Sequence, residues 1–293
     1  MIKKSCGERL FDVANILFIL LLIAIMIYPL LYIAVASVSD PLAVLQNEGL
    51  LLLPKGFTIQ AYQMVLDNPM IRIGYINTLY YVIGGTVLNI ILTAFGAYGL
   101  SRRNLFGKSF LMIMIVITMF FDGGLIPNYL LIKNLGMLNT RWAIILPAAI
   151  STFNLIVMRT GFQGIPDSME ESAKLDGAND FTILFRIYIP LALPIVAVMI
   201  LFYSVAHWNA YFKAMIYLRD RALFPLQLVL REILVASSTD SMMSAGGVVS
   251  DRESIGETIK YATIIVATLP ILCIYPFLQR YFIKGMMVGA IKE

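Results

Sequence analysis

The chain has 293 residues, 59% hydrophobic and only 14% charged, where a soluble globular domain carries about 25% charged residues. That much apolar surface excludes an ordinary water-soluble domain and makes lipid the natural solvent. The net charge of +4 does not indicate nucleic acid, because the basic residues stand in ones and twos between apolar runs rather than along one face.

Six stretches approach the roughly 17–25 residues that cross about 30 Å of hydrocarbon. They are 13–39, 73–101, 109–132, 142–158, 187–212 and 261–279, with Asp122 the one charged residue inside them. In lipid each must be helical, because every backbone polar group needs a partner within its own segment. The expected fold class is therefore an all-α polytopic membrane protein with six transmembrane helices. The expected organisation is a tail at 1–12, a membrane domain at 13–282 and a second tail at 283–293.

The first stretch follows Lys3, Lys4 and Arg9, and "AVA" at 34–36 imitates a signal-peptidase site. Its apolar run exceeds the about 7–15 residues of a signal peptide, so it reads as a retained helix. Cys6 in the tail and Cys273 in the sixth stretch do not suggest a disulfide, and a single histidine leaves no multi-histidine metal site. After the second stretch comes "SRRNLFGK", the densest short basic segment, which belongs on the cytoplasmic side. With the N-terminus inside, inner segments hold twelve basic residues and outer segments ten, six of them in one long loop. "FGKS" at 106–109 imitates the end of a phosphate-binding loop, but Arg102 stands where the pattern needs glycine, so no nucleotide site is expected. In the third stretch Gly123, Gly124 and Pro127 follow Asp122 and predict a capped kink toward the outer side. In the fifth, His207 beside Trp208 reads as a packed or interfacial histidine rather than a proton relay. Two long outer loops remain, 40–72 and 213–260. The second contains "LFPLQLVLREILVASS", which predicts an amphipathic helix, and then a flexible "STDSMMSAGG". "GMMVG" at 285–289 has glycine-zipper spacing but lies past the sixth stretch, where it reads as a tail turn.

Between the fourth and fifth stretches lies a polar island, "PDSMEESAKLDGANDFTILFRIYIP", residues 166–190. Ser168 and Glu171 have capping-box spacing, and Met169, Ala173 and Leu175 offer one face to neighbours. Gly177 permits a helix stop, and Asn179 or Asp180 is placed to cap a second helix. Phe181, Leu184, Phe185 and Tyr188 follow at the spacing of an amphipathic stripe. This helix–turn–helix elbow is too short to span the bilayer. It suits the groove of a soluble partner or, with no partner, the membrane interface.

At these residues the chain resembles the membrane subunits of binding-protein-dependent ABC importers. Those carry, in a cytoplasmic loop, the pattern E-A-A, three residues, G, nine residues, I, any residue, L, P. Here Glu171-Ser172-Ala173 is followed by Lys174-Leu175-Asp176, Gly177, nine residues, Ile187, Tyr188, Ile189 and Pro190. Ser172 and Ile189 depart from the pattern. "GGLIPNYLLIKNLGMLNT", "HWNAYFKAMIYL" and "LQRYFIKGMMVGAIKE" are similar to carbohydrate-type permeases, the group that contains the maltose importer's smaller membrane subunit. "FDGGLIPNYLL" and "IKYATIIVATLPIL" are similar to the branch importing complex oligosaccharides, including acidic ones such as alginate.

The resemblance implies a type I importer permease in the bacterial cytoplasmic membrane, with both termini cytoplasmic and no catalysis of its own. It implies no cofactor on this chain, with ATP and magnesium held by the partner ATPase. Its partners would be a second homologous permease subunit, two ATP-binding subunits and an extracytoplasmic solute-binding protein docked on the outer loops. By position, the ATPase-coupling residues would be Glu171, Ser172, Ala173, Asp176, Gly177, Ala178 and Pro190. Glu171 would meet the ATPase cleft, Gly177 would supply the turn, and Ala173 and Ala178 would allow close approach. Trp208, Asn209 and Tyr211, with Tyr80 and Tyr81, are candidates for the sugar pathway, although aromatics near span ends also form interfacial belts. The alternatives are an importer of another solute class or an ion-coupled carrier. The carrier would need ionisable groups at the bilayer midplane or paired broken helices.

Overall fold

The computed structural model describes residues 6–47, 49–243, 256 and 258–273. The tail at 283–293, the GMMVG segment, the end of the sixth stretch and residues 244–255 of the second long loop lie outside them. The chain divides into two units, Met1–Pro69 with Leu230–Leu269 and Met70–Val229 with Pro270–Glu293.

In the first unit α1 (Cys6–Ser37) is a single helix of 32 residues, about 48 Å long at 1.5 Å per residue. None of its most apolar window is buried, so over that window it packs against no other described part of this chain. Beyond it the chain is pinned by short polar contacts. Ser37 Oγ donates to the Ala34 carbonyl and lies 2.7 Å from the Tyr62 hydroxyl. Asp40 caps α2 (Pro41–Leu45), its Oδ1 accepting from the Leu42 and Ala43 amides at 3.1 Å. α3 (Gln60–Asp67) follows, and Ser39 pairs with Phe57 in an isolated antiparallel bridge. The segment expected as a long outer loop at 40–72 is therefore folded. Ala36, Val44 and Leu51 form a small core with Tyr32, Val35 and Tyr261, the last from the apolar helix Thr258–Cys273.

The second unit starts on α4 (Pro69–Ser101), 33 residues in one piece. The other apolar stretches are broken where single spans were expected. The third is α5 (Lys108–Phe120) and α6 (Leu125–Asn134), bent by 109°. Asp122 Oδ1 accepts from the Gly124 amide at 2.6 Å and the Asn128 side chain at 3.2 Å, and Gly124 takes φ +82°, a conformation costly for a side-chain-bearing residue. The fourth is α7 (Trp142–Ile145), a 3₁₀ turn at Leu146–Ala148 and α8 (Thr152–Gln163), bent by 49° across residues 149–151, with Ser151 capping α8. The polar island gives α9 (Asp167–Leu175) and α10 (Asp180–Ile183). A π turn at Leu184–Tyr188 and α11 (Ile189–Leu191) lead to α12 (Leu193–Trp208) across an 88° bend. The fifth span thus begins at Leu193, and residues 187–191 belong to the elbow instead. α13 (Phe212–Tyr217), a 3₁₀ turn at Arg221–Leu223 and the start of α14 (Leu226–Met243), which from Leu230 onward belongs to the first unit, complete the order. The expected amphipathic helix exists as α14, and it runs through Met243 into residues expected to be flexible.

These breaks free carbonyls that lipid cannot satisfy, and α4 supplies the donors. Asn77 Nδ2 donates to the carbonyls of Ala222 and Phe224 at 2.7 and 3.1 Å, and Tyr81 donates to Leu223 at 2.8 Å. Asn89 Nδ2 serves Ala148 and Ala149, while its Oδ1 meets His207 Nε2 at 2.7 Å. Because that oxygen only accepts, Nε2 carries the hydrogen. His207 is thus a packed histidine, 5% exposed. Its ring lies so close to α4 that a Cβ on Gly85 would sit 2.4 Å from it.

The unit's apolar core lies where α4 ends beside the elbow. Ala94, Ala97 and Tyr98 meet Leu155, Met158 and Phe162 of α8, Ile183, Leu184 and Tyr188 of the elbow, and Val196 and Met199 of α12.

Candidate functional site

The elbow is built by local rules. α9 begins at Asp167 after Pro166, whose extended backbone (φ −60°, ψ 135°) makes it the N-cap. Ser168 is inside the first turn, so the expected Ser168–Glu171 capping box does not form. Asp167 and Glu170 instead place negative charge at the positive end of the helix. At the other end Gly177 takes φ +80°. The Ala178 amide returns to the Ala173 carbonyl at 2.9 Å and the Gly177 amide to Lys174 at 3.0 Å, a complete Schellman stop. Asn179 then caps α10, its Oδ1 accepting from the Thr182 amide at 2.8 Å.

The elbow has two unlike faces. Its inner face is tied to the body of the same unit through Arg102, at the end of α4. Arg102 pairs with Glu170 of α9 and with Asp180 of α10, the latter at 3.0 Å. Its guanidinium stacks 3.9 Å from the Tyr98 ring centroid. Tyr98 donates to Asp180 at 3.0 Å and Tyr188 donates to Glu170 at 2.9 Å. Lys174 adds a 2.7 Å contact to Glu170. Both arms of the elbow are thereby clasped by one guanidinium. The Arg102 and Glu170 side chains are only 18% and 15% exposed, so removing either leaves a mostly desolvated charge, a loss of about 2–4 kcal/mol after allowing for partial exposure. The Arg103–Asp167 pair at 2.8 Å is far more exposed and is worth about 0–1 kcal/mol.

The outer face is made of Glu171, Ser172, Asp176 and Leu175, all exposed. Leu175 is 89% exposed, and Met169 and Phe181 are also open. Of the family-pattern residues, Ala173 and Ala178 are half-buried against the unit's own core, Gly177 forms the turn, and Pro190 sits exposed in α11. Ala173 and Leu175 lie on opposite sides of α9 instead of sharing one face, because two residues turn a helix by about 200°. The expected stripe also divides. Leu184 and Tyr188 are buried, whereas Phe181 and Phe185 stay exposed and meet Phe95 edge to face, with ring centroids 5.9 Å apart.

A second feature is a cavity of about 1100 Å³ beside α8, α12 and α13. Asn209 and Tyr211, expected on the pathway, line it together with Ser151 and Asn154. The other three aromatics lie elsewhere in the unit. Trp208 is buried with its ring 6.3 Å from Tyr75. Tyr81 is buried on the Leu223 carbonyl, and Tyr80 lies under the Arg141 guanidinium at 4.5 Å. In the sequence Arg102 stands out as part of the basic segment that sets orientation and as the departure from the phosphate-loop pattern, whereas nothing local singles out Tyr98 or Glu170. The available signal was the density of basic residues next to an acidic island.

Comparisons with known proteins agree with one another. Residues 95–288 match the family described as "Binding-protein-dependent transport system inner membrane component". The polygalacturonan/rhamnogalacturonan transport system permease protein YtcP of Bacillus subtilis (strain 168) is 40% identical, across 97% of this chain and 99% of that protein. Protein LplC of the same organism is 41% identical, across 97% and 95%. The arabinooligosaccharides transport system permease protein AraQ, also of B. subtilis, is 26% identical over the full length of both. Among solved structures, a chain of a bacterial ABC transporter involved in the import of the acidic polysaccharide alginate superposes with a TM-score of 0.87. It is 34% identical, over 96% of this chain and 100% of that one.

Proposed function

The chain belongs to the family of binding-protein-dependent transport system inner membrane components, and from that premise we propose that it is one permease subunit of an ATP-driven oligosaccharide importer. It works with a second, homologous permease subunit, two ATP-binding subunits that hold ATP and magnesium, and a solute-binding protein that delivers the sugar. Both termini and the elbow face the cytoplasm, and the folded segment 40–72 faces the binding protein. Full-length similarity to permeases whose names specify oligosaccharides supports the sugar class.

The observation that carries the coupling role is the two-faced elbow. A lever needs one end fixed to the load and one end open to the motor. Arg102 fixes the inner face to α4 through Glu170 and Asp180. The outer face offers Glu171 and Leu175 to a cleft in the ATPase, helix-in-groove fashion. Closure of the ATPase subunits on ATP then moves the elbow, and with it α4 and α12, toward the outward-open state. ATP achieves this only through its unequal affinity for the two states.

The test is reconstitution of the complete complex in proteoliposomes, with ATP hydrolysis and sugar uptake measured together. The expected result is ATPase stimulation by binding protein plus oligosaccharide, abolished by Glu171→Lys with the complex still assembled. Normal uptake by that variant overturns the coupling assignment, and stimulation by a peptide or phosphate instead overturns the sugar class.

A further inference from the structure

Resting on the oligosaccharide-permease reading, we infer that the cavity beside α8, α12 and α13 is selective for acidic sugars, with Lys213 as the carboxylate-recognising residue. Among the described residues lining the cavity, Lys213 carries the single formal charge, and no Asp or Glu lines it. Lys213 is exposed, stands on the first turn of α13 and lines the cavity. In a cavity with low-dielectric walls, a cation with no acidic residue among the described lining residues sets the sign of the field they create, concentrating anions and opposing cations.

The rest of the wall suits a sugar. Small-molecule sites measure on the order of 300–1,000 Å³, so about 1100 Å³ accommodates more than one sugar ring. Asn154, Asn209, Ser151 and Tyr211 supply amide and hydroxyl groups for ring hydroxyls, and Phe202 and Phe212 offer faces for the C–H surfaces of a pyranose. Four dispersed hydrogen-bonding groups favour a hydroxyl-rich ligand over an anionic lipid, whose acyl chains would leave them unsatisfied.

The test uses proteoliposomes of the complete complex with the same binding protein in every arm. The probes are a labelled uronic-acid oligosaccharide and its carboxyl methyl ester, and the readout is the acid-to-ester uptake ratio. A charge-assisted hydrogen bond contributes about 1.5–3 kcal/mol, so Lys213→Gln should lower the ratio roughly ten- to a hundredfold. Lys213→Met should lower it equally, giving a second neutral variant should one assemble poorly, and Lys213→Arg should retain most of it. A wild-type ratio in both neutral variants overturns the inference while leaving the permease reading intact. If wild-type vesicles import neither probe nor any neutral oligosaccharide, the permease reading itself fails and the inference with it.

Discussion

Glu170 and Glu171 are chemically identical neighbours with opposite surroundings. Glu170 faces inward onto Arg102, Tyr188 and Lys174, whereas Glu171 is exposed. Glu170→Gln should therefore lower the melting temperature of the purified complex, at a cost of about 2–3 kcal/mol for a mostly desolvated pair. Glu171→Lys should leave the melting temperature in place and act only on coupling. Equal melting shifts for the two variants would show that the inner tie is not what holds the elbow. Gly177 supports a second expectation. A Cβ there meets nothing within 4 Å, so Gly177→Ala adds no Cβ clash and isolates the strain of φ +80° in a residue with a side chain, about 1–2 kcal/mol. Differential scanning calorimetry of the complex measures it. The turn at Gly177 and the Asn179 cap were legible because glycine and asparagine act on their immediate neighbours. Which glutamate faces inward was not, because that is decided by Arg102, far away along the chain.

At the scale of elements, charge-free length located the apolar stretches but not their breaks. α1 and α4 are continuous, while three other spans bend by 49° to 109°. The Asp122–Gly124 break had a local signal in two glycines and a proline. The 88° bend before α12 lies at Ala192, between Pro190 and Pro194; Pro190 marked the step into the fifth span, but charge-free length ran the span back to residue 187. The polar row on α4 went unread because Asn77, Asn89 and Thr93 are uncharged and pass a charge-based search for spans. Its role gives a third expectation. Asn89→Leu strands the carbonyls of Ala148 and Ala149 and leaves His207 without its acceptor. With about 1–3 kcal/mol for each buried group left unsatisfied, the variant should be destabilised by about 2–5 kcal/mol. Asn89→Gln should do little better, since its longer chain meets the His207 ring, and cysteine-accessibility profiling of α8 and α12 should register the loosening. An unchanged profile in Asn89→Leu would mean that water already serves those carbonyls.

At the scale of the whole molecule, hydrophobic content alone established an all-helical membrane protein, and the 171–190 pattern pointed to the family that the full-length comparisons then showed. The cavity, assembled from α7, α8, α12 and α13, and the inner face of the elbow, assembled from α4, α8 and α12, were illegible because each draws on segments far apart in sequence. A fourth expectation follows for assembly. Mild-detergent purification through a tag on this chain should recover a second polytopic subunit and an ATPase, and Leu175→Asp should release the ATPase while retaining the second subunit. Retention of the ATPase by that variant would move the contact away from the outer face.

The clasp around Arg102 has a consequence for how such a complex is put together. With both arms of the elbow already fixed to α4, little backbone freedom is left to surrender when a soluble subunit arrives. Docking of the ATPase subunits proposed above is then a meeting of preformed surfaces, with little ordering of the elbow left for the encounter.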